Sequence, residues 1–83
     1  MQILDQQRKS IINIDTTKKT YINKIYGEDE EVNVIKGASI NTQTINCGET
    51  LGKYKTEKRA QEVLLDIYAK MNEGKKAYKM PKE

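Results

Sequence analysis

Up to Lys55 the apolar residues of this chain fall in short runs, and beyond it they fall in a helical stripe. Residues 2–7 (QILDQQ) and 10–15 (SIINID) are Ile-rich and separated by Arg8 and Lys9, which predicts a hairpin with Ile12 and Ile14 on one face and Ile11 on the other. A polar turn follows from Thr16 to Lys19. Residues 20–26 (TYINKIY) alternate as a strand does, with Ile22, Lys24 and Tyr26 on one side and Tyr21, Asn23 and Ile25 on the other. Gly27 to Glu30 reads as a turn and 31–36 (EVNVIK) as the returning strand, with Val32 and Val34 in phase. The stretch 37–50 (GASINTQTINCGET) permits a strand, but Ile40 and Ile45 are out of phase by one, which calls for a bulge or a loop. Cys47, Gly48 and Glu49 suggest a tight turn before a last strand over 50–55, which Gly52 interrupts at a bulge or a close backbone approach.

The helix is the clearest element. Thr56 suits the N-cap, and Glu57 puts a negative charge in the first turn, where the helix dipole favours it. Ala60, Val63, Leu64, Ile67, Tyr68 and Met71 then recur at spacings of three and four, predicting one buried stripe. Gly74 is the expected C′ residue. Lys58, Arg59, Gln61, Glu62 and Asp66 fall off the stripe and should face water; Leu65 is also off it and is free to widen the buried face or touch a partner. Residues 75–83 read as a flexible basic tail after a single domain over 1–74, although Tyr78 and Met80 offer anchors. The expected fold is α+β: a meander of five or six short antiparallel strands with one C-terminal helix packed on one face. The other sheet face is then open. Ile11, Tyr21 and Ile25 are expected on it and, with Leu65, are candidates for self-association.

Composition narrows the function more by exclusion than by suggestion. Apolar residues make up 36% and charged residues 33% of 83 positions, with no His, Trp or Phe, one Cys and one Pro. A His-ligated metal site, a Ser-His-Asp or Cys-His triad, an internal disulfide and a CxxC site are all excluded. The carboxylates are expected in solvated turns (Asp5, Asp15, Glu28 to Glu31, Glu49) or on the outer helix face, so no acid–base pair is expected, and Cys47 has no His to activate it. The glycines form no phosphate loop. No enzyme activity, metal or cofactor is expected. No apolar run is long enough to span a membrane and no signal stretch opens the chain, which points to a cytoplasmic protein. A chain this small without metal or disulfide often buries further surface in an oligomer, so a homo-oligomer is expected.

The net charge is +3. Glu28, Asp29, Glu30 and Glu31 form an acidic run, and Lys75, Lys76, Lys79 and Lys82 a basic one; solvation explains both, and pairing between copies is the alternative. Lys53, Lys55, Lys58 and Arg59 surround the predicted helix N-terminus, whose free N–H groups attract anions. They form the candidate contact for a phosphorylated ligand, a nucleotide, a nucleic acid or an acidic partner. An ordinary solvated corner is the simpler reading.

The stretch LGKYKTEKRAQEVLLDI (51–67) resembles a pattern in short, uncharacterised proteins of Firmicutes phages and prophages, where an L-G-x-Y strand leads through K-T-E into an R-A-x-E-V-L helix. The opening MQILDQQRKSIINID is similar to the way such proteins begin, and the stretch between has no counterpart in the resemblance. The resemblance implies a small accessory α+β protein of a bacterial host cell, with no catalytic residues to carry over. Some small phage proteins inhibit host defence by binding an enzyme or sequestering a nucleotide signal; the sequence carries a motif for neither.

Overall fold

The computed structural model describes residues 1–17, 19–26, 35–43 and 48–83. The turn at 27–30, most of the strand expected at 31–36, Ile45, Cys47 and Lys18 lie outside the described residues. The fold is α+β; the described residues form six strands and one α-helix in the order β1 (Gln2–Leu4), β2 (Ile11–Asn13), β3 (Lys19–Tyr26), β4 (Ile35–Gln43), β5 (Gly48–Tyr54), α1 (Glu57–Asn72) and β6 (Ala77–Lys79). A short 3-10 turn, Ile14–Thr16, joins β2 to β3.

The strands divide into two three-stranded sheets where a single meander was expected. One is the antiparallel ladder β3-β4-β5; the other has the order β2-β1-β6 and pairs β6 parallel to β1. The tail expected at 75–83 is therefore replaced by a strand. Gln2 N–H donates to Lys76 O at 2.8 Å and Met80 N–H to Leu4 O at 3.0 Å, closing the ladder at both ends. Tyr78 shares the inner face of this sheet with Ile3 and Ile12, and Met80 beyond it is fully buried (0% exposed).

In the larger sheet the pairing of Ile22 with Ile40 sets the inner face, and Tyr21 opposite Asn41 sets the outer one. A register shift lies between Ile40 and Asn41, where Leu51 is the extra residue of β5. This bulge turns Leu51 into the core, so the interruption expected at Gly52 is a bulge one residue away, with a packing reason. One core cluster joins both sheets and the helix: Ile3, Ile12 and Met80 from the small sheet, Ile40, Leu51 and Tyr54 from the large one, and Ala60, Val63 and Ile67 from α1.

Both helix ends follow the sequence. Thr56 Oγ1 accepts from Arg59 N–H at 3.1 Å, and Gly74 takes φ +78°, with Gly74 N–H bonded to Met71 O and Lys75 N–H to Lys70 O, each at 3.0 Å. That pair of bonds is the Schellman arrangement, which favours glycine because its positive φ meets no Cβ.

The sheets are stitched along the β5 edge. Gln6 N–H donates to Leu51 O at 2.8 Å, its Nε2 donates to Lys53 O at 2.9 Å, and its Oε1 accepts from Lys53 N–H at 2.7 Å. Gln6 thus supplies β5 with the hydrogen bonds of a missing neighbour strand. Asp5, expected in a solvated turn, is buried and accepts from Lys9 N–H and Ser10 N–H. Arg8, at φ +63°, reaches from the same loop to Met80 O at 2.8 Å.

Candidate interaction surfaces

The helix stripe is only partly covered. Ala60, Val63 and Ile67 are buried and Leu64 is half-buried, but Tyr68 is 66% and Met71 45% exposed. At about 100° per residue Tyr68 lies a quarter-turn from Ile67, beyond the edge of the covering layer. With Leu65, also 66% exposed, these side chains border a groove of about 470 Å³, whose opposite wall is Ile14, Thr17 and Thr20. The groove is apolar, and among the described residues Lys19 is its one charged lining residue.

The opposite flank of α1 is braced. Tyr78 Oη donates to Asp66 Oδ2 at 2.7 Å, and Lys70 Nζ lies 3.5 Å from Asp66 Oδ1. Asp66 is thus not the purely solvated residue expected. Burial, with the Asp66 carboxylate as hydrogen-bond acceptor, pushes the Tyr78 phenol well above its usual value; burial also raises Tyr54, whose Oη donates to Pro81 O at 2.8 Å. A raised phenol stabilises the fold fully below about pH 10, its unfolded value, and that stability is lost as pH climbs through the raised folded value. Tyr78→Phe is therefore expected to lower neutral-pH stability by about 1 kcal/mol and to flatten the alkaline decline. Urea midpoints followed across pH check this; an unchanged alkaline slope contradicts it.

Comparison with family models, curated proteins and solved structures finds no match.

The four self-association candidates occupy three different surfaces. Ile11, 69% exposed, stands on the outer face of the small sheet beside Leu4 and Ala77. Tyr21 and Ile25 lie half-buried on the outer face of the large sheet, and Leu65 borders the helix groove. The expected basic corner also divides. Arg59 Nε donates to the main-chain oxygen of Glu83 at 2.9 Å, and Thr56 already caps the helix end. Lys58 is exposed on the helix, while the register places Lys53 opposite Ser39 and Asn23 on the outer sheet face. Tyr54, as the alternation predicts, points the other way and is buried. Sequence reasoning missed Tyr68 and Met71 as surface residues; the signal was the width of the stripe, which exceeds what three buried positions require.

Among the described residues, no group of three His, Cys, Asp or Glu side chains is placed to hold a metal ion, and no helix is long and apolar enough to cross a membrane.

Proposed function

We propose that this chain is a small non-catalytic interaction protein that pairs with a second copy of itself through the α1 flank bearing Leu65, Tyr68 and Met71. The carrying observation is that these three large apolar side chains stand exposed in one strip beside an apolar groove. Water contact there is unfavourable by roughly 25 cal/mol per Å² of apolar surface.

A second copy suits the strip better than an unrelated partner because the strip is self-complementary. Gln61, Leu65, Tyr68, Ala69 and Asn72 are all exposed and carry no charge. Two such helices crossing antiparallel about Leu65 set Gln61 of one copy opposite Ala69 of the other, bring no like charges together along the strip and oppose their dipoles favourably. The likeness of residues 1–15 and 51–67 to phage and prophage proteins supports an accessory role in the cytoplasm of a bacterial host.

Light scattering coupled to size exclusion tests the pairing. The expected result is a dimer whose dissociation constant rises by about thirtyfold or more in Leu65→Asp, the loss of a central contact worth about 2 kcal/mol. Ile11→Asp, on a different surface, is expected to leave the dimer intact. A monomer at high micromolar concentration, or equal sensitivity to both substitutions, would falsify the proposal.

A further inference from the structure

The outer face of the β3-β4-β5 sheet, opposite the core, is basic and, apart from Tyr21 and Ile25, polar. Its register aligns Lys19 with Gln43, Tyr21 with Asn41 and Thr50, and Asn23 with Ser39 and Lys53. Lys55 follows one residue beyond β5 and is exposed, as are Lys19 and Lys53. Among the described residues this face holds no carboxylate: Glu49 is paired with Thr42 in the opposite phase, and Glu57 lies 3.5 Å from Lys24, also in that phase. Three ammonium groups thus share a surface with no described counter-charge.

We infer that this face binds single-stranded nucleic acid, with Lys19, Lys53 and Lys55 meeting phosphates and Tyr21 supplying the ring on which a base stacks. The charge is complementary to a polyanion, and the spacing suits an extended strand: from Lys19 on β3 to Lys53 on β5 the sheet spans a diagonal on the order of 15 Å. Lys19 Nζ sits over the Tyr21 ring, 4.8 Å from its centroid, so cation and ring are adjacent and the ammonium swings to a phosphate as a base takes that ring face. Gln6 fixes the Lys53 main chain from the β5 edge while the Lys53 side chain stays exposed, so that charge is carried on a braced strand. A three-stranded sheet face is too broad for a duplex major groove, which admits a helix or a two-stranded ribbon. An acidic protein surface is less well matched, since among the described residues the face offers Tyr21 alone of the Trp, Tyr and Arg anchors that dominate protein hot spots.

Fluorescence anisotropy with labelled single strands on the order of ten nucleotides long, one of deoxyribose and one of ribose, tests the inference. Binding of either supports it, with log K falling against log salt at a slope of about −2, the value for three phosphate contacts. Lys53→Ala/Lys55→Ala should reduce that slope to about −0.7. Tyr21→Ala should weaken binding about tenfold with the slope unchanged. Lys75→Ala/Lys76→Ala removes the same charge elsewhere and should stay within about twofold of the parent. Circular dichroism confirms that each variant is folded. The inference is overturned by no binding at about 50 mM salt, by equal losses in the two double-lysine variants, by a duplex binding as tightly, or by polyglutamate competing as well as a single strand.

Discussion

Removing residues 75–83 is expected to abolish cooperative unfolding, although these residues read in sequence as a dispensable basic tail. The deletion takes away a whole strand, the Lys76 O and Met80 N–H ends of its ladder, and the Tyr78–Asp66 and Tyr54–Pro81 hydrogen bonds. It also strips the Arg8 guanidinium of its bond to Met80 O and removes Met80 from the core cluster. Met80→Ala alone should cost about 2–5 kcal/mol, the range for emptying a buried Met site. A domain of this size holds a total of only about 4–12 kcal/mol at 0.05–0.15 kcal/mol per residue. The complete deletion should therefore exhaust most of it. Far-UV circular dichroism in urea should show a sigmoidal transition for the full chain, an earlier midpoint for Met80→Ala and a featureless slope for the deletion. A deletion variant with the parent midpoint would mean that β6 contributes nothing.

Gly37→Ala is expected to be strongly destabilising at a position where β propensity alone predicts a gain. Replacing a strand glycine by Ala ordinarily stabilises by roughly 0.5–1 kcal/mol through the unfolded chain's lost freedom. Here a Cβ would stand 2.6 Å from Tyr54 O and 3.7 Å from Lys55 O, both main-chain atoms. No rotamer change can clear them, so β4 must part from β5 at the Ala38–Tyr54 pair. Tyr54 is a core residue and leads directly into the helix cap at Thr56, so a shift there spreads to α1. Overpacking of this kind costs about 1–3 kcal/mol, and the bulkier Gly37→Val should exceed Gly37→Ala. Urea midpoints and native-state hydrogen exchange along β4 and β5 measure the effect. Equal or greater stability in Gly37→Ala would show that the two strands have room the contact distance denies them.

What the sequence made legible is what local periodicity encodes. Thr56, the Ala60–Val63–Ile67 spacing and Gly74 are read within a few residues of chain, and the helix and both its ends follow from them. The two faces of β3 were legible for the same reason, since alternation separates Ile22 from Tyr21 and Ile25. Strand β6 was not: it is three residues long and set among lysines, and its partner β1 lies at the far end of the chain. The signal was present in the i, i+2 pair Tyr78 and Met80, but two inward residues are too few to outweigh four lysines in so short a stretch. Likewise the stripe through Tyr68 and Met71 specifies a helix face without specifying how far the covering layer reaches. The grouping of Lys19, Tyr21 and Lys53 on one surface depends on strand register, including the Leu51 bulge, and no local pattern contains that information.

A dilution series followed by amide-resolved NMR puts the pairing of two copies through the Leu65 flank to the most direct trial. Lowering the concentration from the high to the low micromolar range should move the amide signals of Leu64 to Asn72 and of Ile14, Thr17 and Thr20, while those of Leu4, Ile11 and Ala77 on the outer small sheet stay fixed. Signals that do not move at all, or that move on the outer small sheet and leave the helix still, would contradict it.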